Sequence, residues 1–259
     1  MGDVKLALTQ TRYALRGFLR QRSTISFTVA MPVVLLVLFN MIFHGKTTEF
    51  YGQPVPVGSY YTAAMVAYEV MIMGFGSMLI SVTTDRERGL LKRFRGTPMP
   101  SSVYLVAEIG QTIVVVAASV VVLVGVGAIF YHVKMSGDLL IGLVVYVVLG
   151  TASFCALSLA MTRICSTTDS ASAIGPFSTV ILAFISGVFI PASQIPTWLL
   201  DIAQVFPLEH LARGLQTAFL TPGSTGITAA NLAVIAAWGL GGLLVAVRTF
   251  RWEPLAVGA

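Results

Sequence analysis

Residues 112–130 read TIVVVAASVVVLVGVGAIF, nineteen consecutive positions without a charge. At 1.5 Å per residue a helix over this run is about 28 Å long, close to the ~30 Å hydrocarbon thickness of a bilayer. It has no polar face to offer water, so it reads as a membrane span. The same ruler extends the run to 102–131 and finds five more candidates at 24–43, 60–82, 138–162, 171–190 and 229–247. The chain therefore reads as a single all-α integral membrane domain over residues 1–259 with six transmembrane helices, undivided by any linker or internal repeat.

Composition agrees with that reading. Of 259 residues, 56% are hydrophobic and 10% charged, with a mean hydropathy of +0.86, whereas a soluble domain carries roughly 25% charged residues. A soluble globular enzyme is excluded. The formal charge of +5 does not point to nucleic acid, because the basic residues cluster between the apolar runs, where membrane topology accounts for them. Cys155 and Cys165 lack a CxxC pairing and a neighbouring histidine, so no disulfide framework or zinc site is indicated. The first run ends in Phe43-His44-Gly45-Lys46 without a small-x-small pattern and is expected to remain as an anchor.

Basic residues set the orientation. Lys and Arg are concentrated in the N-terminal segment, the second and fourth connections and the tail, which together hold thirteen; Lys46, Lys134 and Arg213 stand alone in the other three connections. The positive-inside rule makes the first set cytoplasmic and places both termini inside. Tyr51, Tyr60, Tyr61, Tyr131 and Trp198 then fall at outer boundaries, and Tyr13, Tyr104 and Trp252 at inner ones, as expected of an aromatic belt. Trp238 is the exception, lying in mid-span.

Three segments are not spans. Residues 3–22 place Val4, Leu8, Leu15, Phe18 and Leu19 near one helical face beside Lys5, Arg12, Arg16 and Arg20, the pattern of an interfacial helix or, more simply, of a basic topogenic segment. Residues 85–98 hold the densest charge, Asp85-Arg86-Glu87-Arg88-Gly89 followed by Leu90, Leu91 and Phe94 among further cations. A short helix here would present an apolar ridge to a cytoplasmic partner; the alternative is a solvated basic loop. Residues 191–228 form the longest connection, with two short helices expected at 198–205 and 207–220. In the second, Leu208, Leu211, Ala212, Leu215 and Phe219 make an apolar stripe behind Pro207, so the pair is expected to re-enter the outer leaflet or pack on the spans.

These segments carry a family resemblance. Met31-Pro32 early in the first span, Asp85-Arg86-Glu87-Arg88-Gly89 through Thr97-Pro98-Met99-Pro100, and Ser186-Gly187-Val188-Phe189-Ile190-Pro191 through Ile195-Pro196 to Phe206-Pro207-Leu208-Glu209-His210 resemble the membrane subunits of bacterial type-2 ATP-binding-cassette exporters, in particular the drug and antibiotic (daunorubicin-type) branch. The resemblance covers essentially the whole chain. It implies a permease in the bacterial cell membrane, paired with a second copy and joined to separate cytoplasmic ATPase subunits that hold the ATP. It also implies that Asp85, Arg86, Glu87, Arg88, Gly89, Leu90, Leu91 and Phe94 belong to the ATPase-coupling surface, and that the hairpin with Pro191, Pro196, Pro207 and Glu209 forms an outer gate.

The chain's own chemistry is sparse. It has no Gly-x-x-x-x-Gly-Lys-[Ser/Thr] phosphate loop, so ATP hydrolysis is expected in a partner. No cofactor, metal site or catalytic constellation is indicated; His44, His132 and His210 fall on the outer side without ligand spacing. Glu69, in the middle of the second span, is the sharpest single residue: a translocation-path carboxylate, or a carboxyl buried for packing. Glu108 sits nearer the inner interface, Asp169 could cap the fifth span, and Ala233, Ala237 and Gly241 form a small-residue stripe. The function expected is export of hydrophobic or amphiphilic compounds. The alternatives are a lipid-linked glycan or lipid as cargo, and an ion-coupled secondary carrier using Glu69.

Overall fold

A computed structural model describes residues 2–20, 22–43, 47–91 and 101–249. In chain order its elements are α1 (Gly2–Leu19), α2 (Arg22–Ile42), β1 (Thr47–Phe50), β2 (Gln53–Pro56), α3 (Val57–Met71), a π-helical segment (Ile72–Ser77), α4 (Met78–Glu87), α5 (Ser101–Tyr131), α6 (Gly137–Met161), α7 (Thr168–Ile185), α8 (Thr197–Ala203), α9 (Pro207–Leu220) and α10 (Ala229–Thr249). Among the described residues five helical stretches are long and apolar enough to cross a membrane: Val57–Glu87, Val103–Tyr131, Gly137–Met161, Thr168–Ile185 and Ala229–Arg248. They coincide with the second to sixth expected spans, and the chain is a multi-pass membrane protein. The expected first span lies in α2, whose apolar described part, Val29–Ile42, is shorter.

The second stretch is the axis of the bundle. From Tyr60 to Met71 every residue is buried, and α2, α5, α6 and α9 all pack on α3. Beyond Met71 the helix widens to the π form over Ile72–Ser77, where Gly74 admits a neighbour that a side chain would crowd. A Cβ on Gly74 would lie 2.9 Å from Cβ of Phe154 and 3.3 Å from the Thr151 carbonyl oxygen, and Gly76 faces Gly175 of α7 backbone to backbone. The helix then continues to Glu87, so Asp85, Arg86 and Glu87 belong to its last turn rather than to a loop.

The all-α expectation holds for the bundle, and one connection adds a small β element. Residues 47–56 form an antiparallel β-hairpin, with Thr47 opposite Pro56 and Phe50 opposite Gln53. Tyr51 (φ 49°) and Gly52 (φ 73°) make its two-residue turn, and paired positive φ values suit the right-handed twist of a hairpin. At α7, the span expected over 171–190 ends at Ile185, because Gly187 (φ 72°) takes a left-handed conformation and turns the chain out. The N-cap of α7 is Thr167, in a reciprocal capping box with Ser170, and not Asp169, which occupies the first turn.

Two further placements concern packing. The helix α1 is present and lies along the start of α5, where Thr11 Oγ1 approaches the Ala107 carbonyl at 3.4 Å. Leu15 and Phe18 pack on the core, while Leu8 and Leu19 face outward. In α10 the stripe Ala233, Ala237, Gly241 is exposed. Gly239 and Gly242 make the close approach within the chain, to Ser153 and Ala156 of α6.

Candidate functional site

At one end of the bundle, α4 is stapled to the connection between α6 and α7. Arg86, only 2% exposed, turns inward and donates to the carbonyl of Thr162 at 2.7 Å, to that of Cys165, and to that of Ser166 at 3.4 Å. These carbonyls follow the C-terminus of α6, where backbone acceptors have no intrahelical donor and a cation is favoured by the helix dipole. Burial raises the Cys165 thiol above its ordinary pKa, and Arg86 opposes that rise. Beside Arg86, Glu87 accepts from the Thr168 hydroxyl, which also lies 3.2 Å from Thr84 Oγ1. Asp85 faces the phenol of Tyr104 on α5, with Glu108 one turn further along within electrostatic reach. Tyr104 is buried, so the expectation that it joins an aromatic belt is not met.

The residues grouped by sequence at 85–98 thus divide by direction. Arg86 and Leu91 point in; Leu91 is fully buried against Met78, Val82, Leu105 and Leu159. Glu87, Arg88 and Leu90 are exposed. Gly89 (φ 70°) makes the turn between them, its N–H donating to the Arg86 carbonyl at 3.1 Å. Phe94 and the rest of the segment to residue 98 lie outside the described residues.

Glu69 is wholly buried in α3. Ser119 of α5 is a polar side chain beside it, yet among the described residues neither carboxyl oxygen of Glu69 nor Ser119 Oγ has a partner in hydrogen-bond geometry. Isolating a charge in such a place costs several kcal/mol. Glu69 lines neither of the two cavities found at the other end of the bundle.

That other end is built from the β-hairpin and the segment 186–228. The two expected short helices are α8 and α9, separated by Gln204–Phe206. Pro191 is buried and precedes a single 3-10 turn at Ala192–Gln194. Pro196 is exposed ahead of α8, and Pro207 is buried as the first residue of α9, where its missing N–H costs nothing. In α9, Leu208, Leu211, Ala212 and Leu215 are fully buried against α3, α6 and α10. Trp238, the mid-span exception, donates from Nε1 to the Val205 carbonyl at 2.7 Å and stacks on Phe206. Nine residues of helix at 1.5 Å each separate Trp238 from Ala229, so the turn between α8 and α9 reaches about 14 Å along α10.

Buried polar groups fasten this end. Glu209 pairs with Arg213 one turn on. Both ring nitrogens of His210 meet oxygens, Nδ1 with Asn231 Oδ1 at 3.1 Å and Nε2 with the Gln204 carbonyl at 2.9 Å, tying α9 to α10 and to the turn. Tyr60 and Tyr61, expected in an interfacial belt, are instead 1% exposed. Tyr60 Oη and Gln216 Nε2 both donate to the Gly187 carbonyl, at 2.6 and 3.0 Å, and Tyr61 Oη donates to that of Phe189 at 3.4 Å. This clamp on the exit from α7 was not legible in the sequence, because aromatic residues near a span end also fit the belt pattern.

The chain matches the family described as ABC-2 type transporter over residues 6–220. It is similar to a Bacillus subtilis protein named as a transport permease, YvfS, with 22% identity over 201 residues, 77% of this chain and 80% of that protein. It is also similar to an Escherichia coli protein named as a multidrug ABC transporter permease, YbhR, with 24% identity over 161 residues, 61% of this chain but 43% of that protein.

Proposed function

The chain belongs to the ABC-2 type transporter family, and from that premise we propose that it is the membrane subunit of an ATP-driven exporter of hydrophobic or amphiphilic compounds, drugs or antibiotics among them. It has six spans, both termini in the cytoplasm of a bacterial cell, a second copy as its partner across the pathway, and separate ATPase subunits that bind and hydrolyse ATP. The Arg86 end faces the cytoplasm and the β-hairpin end faces outward, in keeping with the distribution of Lys and Arg.

The observation that carries this reading is the staple at Arg86. A force applied to the exposed side of the turn at Glu87, Arg88 and Leu90 is delivered to α3 and α4, and through Arg86 to the connection between α6 and α7. One contact surface thereby moves several membrane helices together. Substrate would leave through the opposite end, where Pro191, Pro196, Pro207 and Glu209 border the re-entrant helices.

Co-purification tests the reading. The permease should bring down a phosphate-loop ATPase, and Leu90→Glu or Phe94→Glu should abolish that association while the permease itself still folds. Export driven by an ion gradient with no ATPase present would overturn the proposal in favour of a secondary carrier.

A further inference from the structure

A cavity of about 290 Å³ lies at the β-hairpin end, roofed by the hairpin and walled by α9 and the exit from α7. That volume is at the lower limit of small-molecule sites. Two of the side chains lining it are polar, more than nine-tenths buried and unsatisfied among the described residues: Ser186, 4% exposed with no partner for Oγ, and Glu209, 6% exposed with no hydrogen-bond partner for Oε2. Glu209 Oε1 is taken by Arg213, and His210 Nδ1, 3.7 Å from Oε2, is engaged with Asn231. Native interiors rarely leave such groups unpaired, since each costs about 1–3 kcal/mol.

The lining selects what would satisfy them. Among the described residues that line it the one cation is Arg213, already committed to Glu209, whereas a second carboxylate, Glu49 of β1, stands on the same cavity. The balance is one negative charge, so an anion is disfavoured and a cation with N–H donors is favoured. Phe50, Tyr51 and Leu200 supply apolar surface beside the carboxylates, and aromatic faces attract organic cations. A bare metal ion would gain nothing from that surface.

We propose that this cavity is a binding site for an amphiphilic amine, its ammonium group between Glu209 Oε2 and Ser186 Oγ and its apolar body against Phe50, Tyr51 and Leu200. The site lies within one chain. It is tested on the permease alone, so it stands or falls separately from the assignment of an ATPase partner or of export.

The test is calorimetric titration of the purified full-length permease in lipid nanodiscs with phenethylammonium, 2-phenylethanol and phenylacetate, which share a ring and differ in the charged group. The ammonium compound should bind at least tenfold tighter than the alcohol, and the carboxylate should not bind. Glu209→Gln should weaken the ammonium compound tenfold or more. Because that change also loosens Arg213, two further variants leave the pair untouched: Ser186→Ala, expected to weaken binding several-fold, and Ala192→Trp, which fills the cavity and should abolish binding. Equal binding of amine and alcohol, amine binding that survives Ala192→Trp, or no amine binding at all would overturn the proposal.

Discussion

The guanidinium of Arg86 donates to the backbone carbonyl of Cys165, so the end of the central helix and the connection two spans further along the chain form one unit. The arrangement uses arginine's fork: one terminal nitrogen reaches Thr162, the other Cys165 and Ser166. A lysine, with its donors on a single atom, cannot bridge the same acceptors. The charge-dense stretch after the second span is therefore not uniformly a surface. Among its described residues, Arg86 is a buried cation that acts as a structural cap, whereas Arg88 is exposed.

Arg86→Met should cost about 2–4 kcal/mol, because it strands the carbonyls that follow α6 in a buried place. In detergent this would appear as a melting temperature lower by roughly 5–15 °C. Arg86→Lys should recover part of the loss, and Glu87→Gln, at an exposed position, should lose almost none. If Arg86→Met melted like the wild type while losing ATPase association, Arg86 would belong to the docking surface instead.

Adjacent leucines should separate stability from association. Leu91 is fully buried and Leu90 is 37% exposed. Leu91→Ala should destabilise the permease by about 2–5 kcal/mol, the usual range for emptying a core leucine site, whereas Leu90→Ala should stay within about 1 kcal/mol. Thermal melting of the two variants side by side checks the difference.

The spans could be read from the chain because uniform apolarity over twenty residues needs no knowledge of neighbours. The helix α9 was readable for a similar reason: Pro207 and the stripe from Leu208 to Leu215 are local signals. What depends on a partner was not readable. Nothing in Asp85-Arg86-Glu87-Arg88 says which cation turns inward, since that is decided by the carbonyls of Thr162 to Ser166, far along the chain. The π segment had a signal in Gly74 and Gly76, but only Phe154 and Gly175 give those glycines their meaning. The β-hairpin could have been suspected from Thr47-Thr48 and the Tyr51-Gly52 turn, which an apolarity ruler passes over. Trp238 looked misplaced only while the turn at Val205 was unknown.

Glu69 offers a sharp contrast between its two readings. It is fully buried and among the described residues has no partner in hydrogen-bond geometry, so replacing it by an uncharged residue of similar size should be neutral or stabilising. Glu69→Gln and Glu69→Leu are both expected to melt within about 1 kcal/mol of the wild type or above it. A panel of cationic and neutral export substrates then decides its role: a selective loss of the cations identifies a pathway carboxylate, and unchanged export of all identifies a packing group. A large loss of stability in both variants would contradict the absence of a partner.

Gly214 and Tyr146 form a tight joint between α9 and α6. A Cβ on Gly214 would fall 2.1 Å from the Tyr146 ring, while the Tyr146 hydroxyl donates to the Gly226 carbonyl at 2.7 Å and holds the loop that returns to α10. The ring is thus fixed at both ends and cannot step aside. Gly214→Ala should cost about 1–3 kcal/mol through overpacking, and Tyr146→Phe about 1 kcal/mol through loss of the hydrogen bond. Because the clash needs the ring, Gly214→Ala combined with Tyr146→Leu should be less destabilised than the sum of its parts by about 0.5–3 kcal/mol. Melting of the two single variants and the double variant measures that coupling; strict additivity would mean that α9 shifts as a body to accept the new methyl group.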